Sequence, residues 1–484
     1  MVALGAAWLG GCQVQSGPAP EPRAAVPVPD SGFAAAEKRV PPEDSDGVGY
    51  TLAGQVDSGW LDDFNSPALI ALVEEALQNN PSLAVAAANV DRSQAVARQA
   101  GAVLKPQLAA GLGNTQTVTS ASRGANTNTF GASLEVSWEI DIWGKHRSQQ
   151  EAAVLEALAT EEDFFFARES LAAQVSKAYF LAIGLRLQKE LSEAILESND
   201  ETVRVVRARV EAGEVDRGDL LFAQSERDTA ASELLEAEGA YNDALRSLEV
   251  LLGRYPSSDV EVAADLPQLS GPVPAGLPSQ MLERRPDLIA AERRVASAFN
   301  ATNAARAARL PSLSLTASGG GSSESLGSLL NPYNLAGNFG ANLLGPLFDG
   351  GFLKAGEEIA RADQRVAFEG YRAAALTAFQ DAETSIDNEY LFAEREKALA
   401  QSSANIQEAF NIIRSQYEAG EADILDFLIR QRTVAQVQGA FLAIRQGRLA
   451  ERVNLYLALG GSFEAPEPEA DEPAAATAQL SNSR

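Results

Sequence analysis

From Phe130 to Ile142 the chain alternates without a break. Phe130, Ala132, Leu134, Val136, Trp138, Ile140 and Ile142 fall on one side, with Gly131, Ser133, Glu135, Ser137, Glu139 and Asp141 on the other. That is the period of a strand with one apolar and one polar face. A run of about thirteen residues exceeds the usual globular strand and is long enough to cross a bilayer at a tilt. Leu313, Leu315 and Ala317 alternate with Ser312, Ser314 and Thr316, and Leu335, Gly337, Phe339, Ala341 and Leu343 with Asn338 and Asn342. Four strands are expected, at about 104–120, 129–143, 310–320 and 335–348.

Elsewhere the period is helical. Between Arg147 and Ala212 there is no Pro, and Gly184 is the single Gly; Leu171, Val175, Ala178, Ala182 and Leu185 step by four and three, a coiled-coil rhythm. At 1.5 Å per residue such a helix is about 100 Å long, far more than a globular core needs. A second is expected from Phe352 to Ala419, with Ala375, Phe379, Ala382 and Ile386 at heptad steps. Shorter helices are expected at Pro67–Gln78, Pro81–Gly101, Pro286–Arg309, Asp423–Leu459, and from an Asp216 or Asp219 cap to Leu252.

These elements come in two copies. Asn80-Pro81-Ser82-Leu83 answers to Arg285-Pro286-Asp287-Leu288, and Glu211-Ala212-Gly213-Glu214 to Glu418-Ala419-Gly420-Glu421, at an offset of about 205–207 positions. The expected organisation is a first repeat at 60–253, a connector at 254–284, a second repeat at 285–460, and an acidic disordered tail at 461–484.

Composition narrows the chemistry. Of 484 residues one is Cys, one His and two Met, and the net charge is −27. An intramolecular disulfide and a His- or Met-rich metal site are excluded, and nucleic acid is a poor partner for so acidic a chain. His146 lies in Lys145-His146-Arg147 with no Ser or Cys nucleophile motif nearby and reads as a surface residue, so no catalytic, cofactor or metal site is expected. Ala6-Ala7-Trp8-Leu9-Gly10-Gly11-Cys12 resembles a lipobox, making Cys12 the expected acylation site and 1–12 a signal-peptide remnant whose basic portion would lie upstream. Gln13 in place of Asp points by analogy to the outer membrane. Residues 13–59, rich in Pro and Ala, are expected to form an extended tether.

No stretch offers about 18 apolar residues for a membrane helix, so any crossing falls to strands. Four strands cannot close a barrel, and open edges are not tolerated in lipid. Several copies must share one. Three give twelve strands; other copy numbers also satisfy the sequence. In each half the short and medium helices together approach one long helix, and stacking them end to end beside it gives a hollow wall.

Ser137-Trp138-Glu139-Ile140-Asp141-Ile142-Trp143-Gly144, Glu283-Arg284-Arg285-Pro286-Asp287-Leu288 with Ala291-Glu292-Arg293-Arg294, Leu310-Pro311-Ser312 and Phe348-Asp349-Gly350-Gly351 resemble the TolC-like outer membrane efflux family, in its lipoprotein (NodT/OprM-type) branch, over about Trp60–Gly460. The resemblance implies an α+β membrane protein: a homotrimer with a twelve-stranded β-barrel in outer membrane lipid, continued by a periplasmic coiled-coil tunnel. It also implies a periplasmic membrane fusion (adaptor) protein and an inner membrane RND-type transporter as partners, and passive conduction of drugs or other small molecules. In the family the tunnel closes at the breaks between long and medium helices. By position Asp219 and Tyr417 match a pair that latches neighbouring helices by a hydrogen bond, and Leu425 matches an apolar constriction. Many branch members carry Asp where this chain has Ile429, so Asp423 or Asp426 is expected to supply the negative ring. Glu211, Gly213, Glu418 and Gly420 lie where adaptor tips would dock.

Two other readings compete: a lipid-anchored periplasmic coiled-coil scaffold without a pore, and the outer membrane duct of a type I secretion or metal-ion efflux system. An envelope hydrolase would need a nucleophile or metal cluster that the chain lacks.

Overall fold

The computed structural model describes residues 20–29, 32–38, 50–51, 58–118, 126–269, 271–329 and 331–463. Cys12 and the lipobox, most of the polar loop between the first two strands, and the acidic tail from 464 lie outside the described residues. In chain order the elements are α1 (Ala34–Lys38), β1 (Tyr50–Thr51), α2 (Pro67–Asn79), α3 (Pro81–Ala102), β2 (Gln107–Val118), β3 (Asn126–Ile140), α4 (Lys145–Glu211), α5 (Arg217–Leu251), β4 (Val273–Pro274), α6 (Pro278–Arg284), α7 (Pro286–Ala307), β5 (Ser312–Ser323), β6 (Leu335–Leu344), α8 (Phe352–Glu418) and α9 (Ile424–Ala458). The helices match in pairs: α3 and α7 have 22 residues each, α4 and α8 have 67, and α5 and α9 have 35. Two compact units result. One holds Ala86–Phe164, Pro286–Leu376 and the chain up to Pro27; the other holds Val28–Val85, Phe165–Arg285 and the chain from Thr377.

The first unit carries an antiparallel sheet in the order β2-β3-β5-β6. Its register sorts side chains by polarity. Leu108, Val136, Ala317 and Phe339 form one row across the four strands; Ala109, Glu135, Ser318 and Asn338 form the next row, on the opposite face. β2 and β6 are the edges.

Strand ends differ from the sequence expectation for a local reason. β3 stops at Ile140 rather than near 143 because Asp141 leaves the ladder to cap α4, accepting hydrogen bonds from the backbone N–H groups of His146 (3.1 Å) and Arg147 (2.9 Å). Asp349 does the same for α8, accepting from Gly351 (2.9 Å) and Leu353 (2.8 Å), and β6 ends at Leu344 rather than near 348. The turn at Gly144 also corrects His146, which is only 8% exposed. Its Nε2 lies 3.1 Å from Glu139 and its Nδ1 3.1 Å from Gln149, because the first turn of α4 folds back against β3.

The second unit has an aromatic core. Trp60 stacks on Tyr456 (5.8 Å between centroids, 12° between planes), and Phe64 packs on Phe180 at 4.9 Å. A buried ion pair lies nearby in sequence: Arg452 donates to Glu389 (2.5 Å) and to the Gly271 carbonyl (2.6 Å). Medium-helix ends meet short-helix starts. Asn80 caps α3 through Ser82 N–H (2.9 Å) and donates to the Leu251 carbonyl (2.9 Å), and Arg285 donates to the Ala458 carbonyl (3.2 Å).

The stretch expected to be a free tether is docked where it is described. Phe33 and Ala36 are buried, the Ala34 and Ala35 N–H groups bind the Glu383 carboxylate, and β1 pairs in parallel with β4. Apolar burial and satisfied backbone donors outweigh the entropy of a free chain there.

Candidate functional site

Two regions of the described residues stand out as candidate functional surfaces. One is the sheet of the first unit, whose apolar face stands bare: Leu112 is 85% and Phe339 93% exposed. Aromatic side chains mark its two ends, with Tyr333 exposed in the β5–β6 connection and Phe348 exposed between β6 and α8. Trp138 donates to the Leu104 carbonyl (2.9 Å) and Trp143 to the Pro311 carbonyl (2.7 Å), pinning the strand-to-helix junctions. So large an apolar surface is what a hydrocarbon environment covers.

The other region is the pair of turns in the second unit where long helices give way to medium ones. The two turns share one stereochemistry. α4 ends with Gly213 at φ +75°, Gly213 N–H bonding to Val210 O (3.0 Å) and Glu214 N–H to Arg209 O (2.9 Å). α8 ends with Gly420 at φ +79°, Gly420 N–H bonding to Tyr417 O (3.1 Å) and Glu421 N–H to Gln416 O (2.8 Å). This left-handed stop needs a residue without Cβ. Next, Asp216 caps α5, accepting from Gly218 N–H (2.7 Å), while Asp219 returns to accept the Asp216 N–H (3.3 Å). Asp423 caps α9 by accepting from Leu425 N–H (2.9 Å).

Between the turns lies a small core of Val206, Ala223, Ile413, Tyr417, Ile424, Phe427 and Leu428. Tyr417 is its centre. Its ring stacks on Phe427 (5.1 Å, 21°), and the Arg209 guanidinium sits 4.5 Å over the ring centroid while donating to the Tyr417 carbonyl (3.1 Å). Burial pushes the phenol above its ordinary pKa, and the charge of Arg209 opposes this. Among the described residues the hydroxyl makes no well-formed hydrogen bond, and Asp219 is engaged with Asp216. The structure thus brings Arg209, Tyr417 and Phe427 together but does not join Asp219 to Tyr417. Leu425 (48%) and Ile429 (43%), one turn apart on α9, point away from this core into the open. Asp426, Glu211 and Glu418 are also exposed. Sequence reading missed Arg209 and Phe427; the available signal was a lone basic residue in the last turn of α4, opposite an aromatic in the matching turn.

The sequence model of the family described as outer membrane efflux protein matches residues 72–254 and 277–461. The chain belongs to that family. It is 33% identical over 432 residues to the pyoverdine export outer membrane protein OpmQ of Pseudomonas aeruginosa, covering 86% of this chain and 90% of the relative. To the probable efflux pump outer membrane protein TtgC of Pseudomonas putida it is 31% identical, covering 86% and 88%. Its fold superposes on the open-state outer membrane channel MtrE of Neisseria gonorrhoeae with a TM-score of 0.79, at 28% identity over 91% of this chain and 99% of that one. The protein is an outer membrane efflux channel of the NodT/OprM type, a transport protein and not an enzyme.

Proposed function

We propose that three copies close a twelve-stranded barrel in outer membrane lipid and continue it as a periplasmic helical tunnel. One observation carries this: a sheet with one apolar face, one polar face and two unpaired edges. In hydrocarbon each unpaired backbone group costs several kcal/mol, so the free edge of β6 must find β2 of another copy. Strands of 10–15 residues suit the span. Acylation of Cys12 would add a lipid anchor.

The tunnel receives its cargo from a periplasmic adaptor and an inner membrane RND-type transporter, which supplies the energy. The relatives' names, which print pyoverdine export and toluene efflux, favour small organic cargo. At the turns, Leu425 and Ile429 form the apolar constriction, and Asp423 and Asp426 supply an acidic ring that favours cations. Tyr417 holds the turn pair closed; a latch through its hydroxyl would reach a neighbouring copy. Exposed Glu211 and Glu418, with the stops at Gly213 and Gly420, offer the surface on which adaptor tips dock.

Two measurements test the proposal together. The purified protein is expected to run as a heat-modifiable trimer and to conduct in planar bilayers. A monomer in detergent that stays silent under voltage clamp refutes it.

A further inference from the structure

Positive charge gathers at one place on a chain whose net charge is −27. Between α7 and α8 runs a groove of about 720 Å³, whose lining includes Thr302, Arg306, Arg361, Gln364, Arg365 and Phe368. At its end nearer the sheet, the buried Glu357 of α8 takes three guanidiniums at once: Arg309 at 2.5 Å, Arg361 at 2.6 Å and Arg306 at 3.4 Å. Arg309 and Arg361 keep about half of their side-chain surface open. Arg365, one turn beyond Arg361, is exposed and has no ion pair or hydrogen bond among the described residues. The acids nearby are already engaged. Glu369 pairs with Arg372 (2.8 Å) and Glu358 with Lys354 (3.8 Å), while Asp349, which feels the charge of Arg309, accepts the Gly351 and Leu353 N–H groups. Four guanidiniums set against Glu357 and Asp349 leave two positive charges unbalanced.

We propose that this groove holds the phosphate headgroup of an anionic phospholipid from the periplasmic leaflet of the outer membrane. This rests on the barrel reading above. Depth supports it. Arg309 and Arg306 stand three and six residues before Ser312, where β5 starts, within about 10 Å of the strand. A headgroup layer extends about 5–7 Å beyond the hydrocarbon on each side, and arginine reaches toward it on its own alkyl stem. Orientation agrees. Glu292 and Arg306 are fourteen positions apart on α7, which at about 100° per residue sets them within about 40° of each other. Glu292 is paired with Arg23 (2.7 Å), so the groove opens on the side of α7 where the N-terminal segment lies. A segment leading to a lipid anchor must run outside the tunnel wall, and the groove therefore faces outward. Guanidinium forks match phosphate with two parallel hydrogen bonds. An anionic headgroup supplies the missing negative charge, whereas a zwitterionic one sets its own ammonium against the arginines.

The test titrates the full chain in detergent with phosphatidylglycerol and counts retained lipid by native mass spectrometry. Phosphatidylglycerol is expected to bind at least about fivefold more tightly than phosphatidylcholine, the factor that one basic residue near an anionic headgroup contributes. Arg365→Gln, which breaks no ion pair among the described residues, should lower phosphatidylglycerol affinity about fivefold and leave phosphatidylcholine as it was. Adding Arg309→Gln should lower it further, and Arg414→Gln, near the far end of α8, should change nothing. The comparison of the two lipids on wild-type protein needs no variant to fold. Equal retention of both lipids overturns the site, as does an Arg365→Gln protein that binds like wild type. Inorganic phosphate that displaces the lipid at equal concentration also overturns it, marking a site for free phosphate. A conducting trimer without lipid preference loses this site alone; a wild-type monomer that stays silent in bilayers loses the barrel reading with it.

Discussion

Arg209 offers the sharpest test of what holds the turns together. Its guanidinium and the Phe427 ring sandwich Tyr417, tying α4, α8 and α9 at one point. Arg209→Ala removes a cation–π contact worth about 0.5–2 kcal/mol. It also removes a charge-assisted hydrogen bond to the Tyr417 carbonyl worth about 1.5 kcal/mol. Because the two share one side chain, a combined loss of about 2 kcal/mol is reasonable. If opening separates the turns, that loss shifts the open-to-closed ratio about thirtyfold. Single-channel recording in planar bilayers reads this as a rise in open probability or conductance. Tyr417→Phe is the decisive companion: it keeps the sandwiched ring and removes only a hydroxyl with no well-formed hydrogen bond among the described residues. It should behave close to wild type, with Tyr417→Ala resembling Arg209→Ala. Wild-type conduction by Arg209→Ala refutes the sandwich. An effect of Tyr417→Phe as large as that of Arg209→Ala shifts the role to a hydroxyl latch made with a neighbouring copy.

Gly420→Ala should lower stability by about 1–2 kcal/mol, since φ is +79° and a Cβ would meet nothing; Gly420→Asn should cost less in the same thermal melt. Arg452→Met leaves the buried Glu389 with only its longer contact to Arg448 (3.7 Å) and should cost up to about 3–5 kcal/mol, with most of the loss recovered by adding Glu389→Met; equal losses in single and double variants would show that the pair is not coupled. The Arg309 guanidinium beside Glu357, helped by Arg361 and Arg306 and opposed by burial, holds that carboxyl below its usual range. A depressed carboxylate stabilises the fold above its unfolded pKa and loses that contribution as pH falls through its folded pKa. The melting difference between wild type and Glu357→Gln should therefore be large at neutral pH and shrink below about pH 4; a difference independent of pH would refute the assignment.

The elements were legible in the sequence because their signals are local. Period-two alternation marked β3, heptad steps marked α4 and α8, and Gly213 and Gly420 marked the stops, each following from backbone geometry within a few residues. Cap chemistry was half legible: Asp216 and Asp219 were both visible as candidates, but which one capped and which one returned depended on the turn at Gly213. The sequence could not show that His146 would be buried, since that depends on a fold-back against Glu139, nor that residues 33–36 would dock on Glu383, about 350 positions away. It could not reveal the Arg209–Tyr417–Phe427 sandwich, whose members sit on three helices and share no spacing rule. Nor could it distinguish α3 from α7, which have matching lengths and starts. Only tertiary packing decided that, among the described residues, α7 buries six side chains where α3 buries Leu83, because burial belongs to the space around a helix and not to its own residues.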